Sequence, residues 1–230
     1  MKRPTRPARA RPARPGRTSD APARDGTTEQ RILDAAHAVF VRRGTAGARM
    51  QDIASAAAVN QALLHYYFRS KDRLSDAVFR RAAAQFMPRI IAIMASDAPL
   101  DQKVERVVEL ELEHLARVPY LPGYIISELT HHPDRARQLF AAIAGIAPDD
   151  IRSKVIATIR TQIDAQVRKG TMRPIAPEQF MVNLLSLCIF PFAARPMLFA
   201  LLGFDQARFD AFIDERRRQL APFFMRALRP

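Results

Sequence analysis

A single cysteine, Cys188, in 230 residues excludes a disulfide framework and any thiolate cluster, and makes the reducing cytoplasm the expected compartment. Glycine is nearly as scarce. Eight residues are glycine, and none falls in a G-x-G-x-x-G or G-x-x-x-x-G-K-S/T run, so no nucleotide-phosphate cradle is expected. Five histidines are few for a metal site built from several carboxylate–histidine helices. No Ser-His-Asp, Cys-His or paired-carboxylate constellation stands out, which points away from an enzyme and from a resident cofactor or metal. No long uncharged apolar stretch lies near the start, so neither a signal peptide nor an N-terminal membrane anchor is expected. Period-two alternation between turn signals is also missing. Strands are therefore not expected, and no internal repeat is visible.

What the chain does have is apolar mass and positive charge. Apolar residues make up 48%, enough for a core, and the length suits one large domain or two small ones. The net charge of +13 with a pI near 11.0 calls for a polyanionic partner, either nucleic acid or an anionic membrane surface. The charge is concentrated at one end. Residues 1–25 hold eight basic side chains against two acids, interrupted by Pro4, Pro7, Pro12, Pro15 and Pro22. Proline denies helix and ladder hydrogen bonds and the segment has little apolar surface to bury, so it reads as a disordered basic arm. The alternative is a solvated tail with no binding role.

From Gly26 on, the pattern is helical throughout, which predicts an all-α fold. Thr27 or Thr28 can cap a first helix carrying Ile32, Leu33, Ala36, Val39 and Phe40 at helical spacing and closed by Gly44. A short helix over about 50–57 and another over about 61–67, the latter capped by Asn60, come next. Ser70 caps a fourth that continues to about Met94, with Pro88 as its kink. Further helices are expected near 100–117, 120–132, 134–145, 148–169, 177–202 and 205–227.

Three helices with a turn of three or four residues between the second and third have a helix-turn-helix layout. The Ala-rich second helix permits close crossing. Val59, Leu64 and Phe68 anchor the third in the core and leave Gln61, Ala62, Leu63, His65 and Tyr67 for its outer face or edges. Amide side chains there suit adenine edges and phosphates, and a leucine or alanine can meet a thymine methyl.

The runs "RILDAAHAVFVRRG" and "MQDIASAAAVNQALLHYYFRSKDRLSDAVF" resemble the DNA-binding domain of the tetracycline-repressor (TetR/AcrR) family of bacterial transcriptional regulators. The likeness lies in the A-x-x-x-F-x-x-x-G helix, the I-A-x-x-A-x-V turn and the Y-Y-F-x-S-K segment, and covers about residues 28–80. It implies that Gln61, Ala62, Leu63 and His65 face bases in the major groove, with Asn60 at the helix start. Tyr66 matches an aromatic that is partly core and partly backbone-facing. Tyr67 and Lys71 would contact phosphates, and Ile53, Ala57, Val59, Leu64 and Phe68 match the family's core. Two positions depart from the pattern. Ala58 stands where the family usually has Gly, and Arg49 stands where Ser or Thr often caps the second helix, though Arg49 can supply a phosphate contact instead.

The resemblance further implies that residues 81–230 form a helical regulatory and dimerisation domain beyond a DNA-binding domain at 26–80. Residues 180–204 are apolar nearly all round, which supports a dimer seam, with burial within the monomer alone as the alternative. Phe180, Leu184, Phe209, Phe212, Ile213, Leu220 and Phe223 are its candidates. A transmembrane reading of this run meets Arg195, Pro191 and Pro196 inside it. Candidate ligand-pocket residues are Met87, Met94, His114, Tyr120, Tyr124, Glu128, Phe140 and Cys188, each of which can equally be plain core or surface, and Cys188 an inert buried thiol. Glu128 and His131 have metal-site spacing, yet His131 and His132 read most simply as a solvated C-terminal turn.

The expected function is a ligand-responsive, sequence-specific regulator, a repressor acting as a homodimer on a double-stranded DNA operator, with a small-molecule effector and no membrane partner. A low-specificity architectural DNA-binding protein, or an interaction protein docking through the basic arm, is the alternative.

Overall fold

Α computed structural model of the chain describes residues 21–84, 87–131, 149 and 152–230, and every element among them is helical. The basic arm up to residue 20, the helix expected at 134–145, Phe140, and the side chains of Glu128 and His131 lie outside the described residues. Helix α1 (Ala21–Gly47) begins earlier than its expected caps, so Thr27 and Thr28 sit inside it and the last five residues assigned to the arm are helical. Pro22 is no obstacle there, because the first turn of a helix has no use for its missing N–H. Gly44 breaks α1 as expected, with a φ of 68° and ψ of 170°.

Helices α2 (Met50–Ala56) and α3 (Gln61–Phe68) follow, then α4 (Lys71–Ala84) and α5 (Met87–Ala95). The single helix expected from Ser70 to Met94 is thus two, and Pro88 is the second residue of α5, a position that tolerates proline, not a kink inside a longer rod. Then come α6 (Leu100–Arg117) and α7 (Leu121–His131). A π-helical turn (Arg152–Ile156) leads into α8 (Ala157–Arg168), followed by α9 (Pro177–Ala193), α10 (Arg195–Leu202) and α11 (Gln206–Ala227).

The expected helix over 177–202 is broken between α9 and α10 by a 69° bend. Pro196 has no N–H to give the carbonyl of Phe192, and Ala194 leaves helical geometry at φ −96° and ψ 14°. No single helix among the described residues is long and apolar enough to cross a membrane. Only this bent pair passes on length and composition, and α9 turns Phe180, Leu184, Cys188 and Phe192 into the chain's own core.

Two apolar clusters hold these helices. The first joins Ile32, Ala36 and Phe40 of α1 to Ile53 of α2, Leu64 and Phe68 of α3, and Leu74 and Val78 of α4. The second is larger and is organised on α6, which packs against α5, α9 and α11. Each fully buried Ile, Leu or Phe contributes about 1.5–3 kcal/mol relative to exposure. Helix α4 serves both clusters, turning Leu74 and Val78 into the first and Phe79 and Ala82 into the second. Tyr120 packs against both.

Candidate nucleic-acid interface

The turn from α2 to α3 is built residue by residue. Arg49 precedes α2 in extended geometry and makes no side-chain cap bond, so the cap that Ser or Thr would give is absent. Asp52 in the first turn is paired instead with Arg43 of α1, a tie between helices that sequence spacing alone does not announce. After α2 the chain reverses through Ala58, whose φ of 52° is the sole positive value at a non-glycine among the described residues. The reversal is closed by Ala58 N donating to Ser55 O at 3.2 Å and Val59 N to Ala54 O at 3.0 Å. Asn60 then starts α3, its Oδ1 accepting from Leu63 N at 2.7 Å.

With Leu64 and Phe68 buried and Val59 packed against the same cluster, the rotation of α3 is fixed. Gln61, Ala62 and His65 are exposed, while Leu63 and Tyr67 are half-buried at its edges. Arg42, Arg49, Arg69 and Arg73 are all exposed on the flanking segments. The outcome is a short helix with an open polar face, set among cations, which is the chemistry that base edges and phosphates require.

Two residues, Tyr66 and Lys71, differ from expectation, while Asn60 caps α3 as expected. Tyr66 is 73% exposed and so is not part of the core; it stacks edge-on against Tyr67 with ring centroids 5.4 Å apart. Asn60 has its acceptor engaged in the cap, which leaves its amide N–H groups for a partner. Lys71 is not simply a free cation, because its Nζ donates to Ala46 O at 3.3 Å and Ala48 O at 3.4 Å. It ties the start of α4 to the last turn of α1 and the residue after that helix, while one donor remains over.

Residues 32–78 match the model of bacterial regulatory proteins of the tetR family. Over 183 residues the chain is 28% identical to the HTH-type transcriptional repressor NicS of Pseudomonas putida, an alignment covering 78% of this chain and 82% of that protein. Residues 32–78 thus carry the helix-turn-helix DNA-binding domain of the tetR family. The chain is also 30% identical over 124 residues to the HTH-type transcriptional repressor Rv3405c of Mycobacterium tuberculosis, covering 54% of this chain and 63% of that one. Among solved structures, the hemolysin II regulator HlyIIR shares the fold at a TM-score of 0.55 with 19% identity, over 89% of this chain and 98% of that chain. The regulator FadR of Bacillus subtilis, solved with stearoyl-CoA, shares it at 0.51 with 15% identity, over 85% and 97%.

In the larger half of the chain, the residues read as a dimer seam are mostly inward. Phe180, Leu184, Phe209, Ile213 and Leu220 are buried in the chain's own second cluster, and Phe212 is half-buried. Only Phe223 of that set is exposed. Besides Phe223, the outward large apolar side chains among the described residues of this half are Ile126 of α7, Val182 and Phe190 of α9, and Met197, Leu201 and Leu202 of α10. A helix apolar all round has two faces, and the sequence pattern alone does not say which one meets the monomer's core.

The pocket candidates are not gathered at one place. Met94 and Cys188 lie in the second cluster, and Met87 and Tyr124 pack on its edge, Tyr124 with its ring 4.8 Å from that of Phe79. His114 lines a cavity between α1, α4 and α6, and Tyr120 bonds to His37, another of its lining residues, at 2.9 Å.

Two buried charged residues escaped the sequence reading, Lys103 and Glu111. Both interrupt the α6 stripe of Leu100, Val104, Val107, Val108, Leu112 and Leu115, and that interruption is the signal that could have found them. Lys103 Nζ donates to Met94 O at 2.9 Å, closing the end of α5. Burial pushes the Glu111 carboxyl up to about 8, opposed by a hydrogen bond from Cys188, and burial together with Glu111 raises the Cys188 thiol well above its usual range. A thiol so held is inert.

Proposed function

We propose that the chain is a homodimeric, cytoplasmic, non-enzymatic transcriptional repressor that inserts α3 of each subunit into the major groove of an operator half-site and is released by a small molecule. The observation that carries this reading is the orientation of α3. Leu64 and Phe68 are locked inward, so Gln61, Ala62 and His65 are turned out together at the base-reading positions that the family resemblance assigns. Leu63 at the edge, Tyr66, Tyr67, Asn60 and Arg49 complete the contact surface, and Lys71 adds a phosphate contact through its remaining donor.

Dimerisation is supported by the outward apolar row on α9 and α10 together with Phe223. Repression and release by an effector are supported by the repressor names of NicS and Rv3405c and by the stearoyl-CoA held by FadR in the same fold. A division at about residue 80 is supported by the two apolar clusters, with α4 as the shared strut. The arm of residues 1–20 contributes phosphate neutralisation, which makes binding steeply dependent on salt.

The test is selection of duplexes from a random pool by the purified chain. The expected result is a shared, near-palindromic sequence whose binding is weakened for all duplexes alike by Lys71→Ala. A bound pool with no common sequence would turn the reading into an architectural DNA binder. Liposome binding without DNA binding would turn it into an interaction protein.

A further inference from the structure

Between α1, α4 and α6 lies a cavity of about 320 Å³, at the small end of ligand sites, which span about 300–1,000 Å³. Its wall combines Asp34 and His37 of α1, Arg81 of α4, and His114 and Arg117 of α6, with Val78, Ala82 and Val118 as the apolar part. Asp34 is the one carboxylate on that wall, and it accepts from Arg81 Nη2 at 2.7 Å. Arg81 still has capacity to donate, because its buried Nη1 has no hydrogen-bond partner among the described residues. Arg117 is tied to Glu113 one turn back on α6, outside the lining.

The two imidazoles do not add charge of their own. His37 is held below its usual pKa by burial and then by Arg81, against the opposing pull of Asp34, and its Nδ1 lies 2.9 Å from the Tyr120 hydroxyl. His114 is pushed down to about 4 by burial, then by Arg117 and His37. Each guanidinium thus has one carboxylate partner, Asp34 on the wall and Glu113 outside it, and the capacity left over is in the remaining N–H donors, the unpartnered Nη1 of Arg81 above all, next to a short apolar strip. A carboxylate on an apolar body suits those donors, since arginine pairs it through parallel N–H groups.

We propose that this cavity is a binding site for a small amphipathic carboxylate, its acid group on Arg81 and Arg117 and its apolar body on Val78, Ala82 and Val118. The incoming acid competes with Asp34 for Arg81, and so acts on the ion pair that joins α1 to α4. Its consequence for DNA affinity rests on the function proposed above; the binding itself does not.

The experiment titrates the full chain, free of DNA, with sodium benzoate and with sodium acetate, using sodium chloride at matched ionic strength as the control. Binding is read by calorimetry and by the histidine ring resonances. The expected result is saturable binding with benzoate tighter than acetate, shifting the signals of His37 and His114. Arg81→Gln and Arg117→Gln each weaken benzoate by about tenfold or more, the size of a lost charge-assisted hydrogen bond. Asp34→Asn tightens it, because the competing carboxylate is gone. Chloride reproducing the shifts, or the two Gln variants binding benzoate like wild type while keeping its helicity and melting, would overturn the site. Loss of a folded state in one Arg variant leaves the other and Asp34→Asn to decide. Benzoate binding to a chain that selects no DNA would sink the repressor reading and leave this site standing.

Discussion

At the scale of single residues, the backbone of Ala58 is the most specific departure from an unstrained chain. An L-residue in the left-handed region carries about 1–2 kcal/mol of steric cost, and glycine escapes it while losing some entropy advantage. Ala58→Gly is therefore expected to stabilise the protein by up to about 1 kcal/mol, or about 2–4 °C at this chain length, in a thermal melt. No gain on that substitution would mean that the turn is relaxed in another conformation. Glu111 gives a pH dependence of definite sign. Its carboxyl is raised from 4.5 to about 8 by burial, so the folded chain holds a proton that the unfolded chain has released between those values. Its stabilising contribution is complete below the unfolded value and is lost as pH rises toward the folded one. Stability should fall from about pH 4.5 to about 8, and Glu111→Gln should flatten that slope in denaturant titrations taken at several pH values.

The element scale is where proline inside a helix has to be reconciled with its missing N–H. In α9, Pro191 cannot donate to the carbonyl of Leu187, one turn back. Arg216 of α11 does so instead, with Nε at 3.0 Å and Nη2 at 2.8 Å from that oxygen. Arg216→Met should cost about 1–3 kcal/mol by leaving the carbonyl unpaired. In a Pro191→Ala background, where the ladder bond is restored, the same change should cost less. A double-mutant cycle in urea measures the coupling, and strict additivity would show that the two residues are independent.

The same elements show what is legible in a sequence. The short helices α2 and α3 were readable because Asn60, the Ala-rich crossing and the buried Leu64 and Phe68 all act locally. The α9–α10 break was foreshadowed by Pro196, but whether an Arg–Pro pair bends or stops a helix depends on what it packs against. The inward turn of Phe180, Leu184 and Phe209 depends on α6 lying beside them, and no spacing within α9 or α11 encodes that. His37 and Tyr120 are 83 residues apart and meet only in the fold.

At the scale of the whole molecule, two α3 helices must sit about 34–36 Å apart to enter successive major grooves, which one chain alone cannot arrange. The outward row on α9 and α10 is the surface we propose for a second copy. Leu201, 72% exposed, and Phe190, 53% exposed, mark it most clearly. The double substitution Phe190→Glu with Leu201→Glu should leave helicity intact and yield a monomer in sedimentation velocity. A dimer surviving both charges would move the seam elsewhere. An effector that takes such a pair from 99:1 binding-competent to 1:99 must prefer the released state by about 5.5 kcal/mol, which sets the demand on any ligand site in the larger half or at its junction with α1. The claim on which the rest depends is that the outer face of α3 reads bases. It is tested most directly by comparing the duplex sequences selected from a random pool by the wild type and by Gln61→Ala. The variant is expected to lose preference at one or two base pairs in each half-site, a change of about 1–3 kcal/mol there, and to keep the others. Identical preference profiles for the two proteins would contradict it.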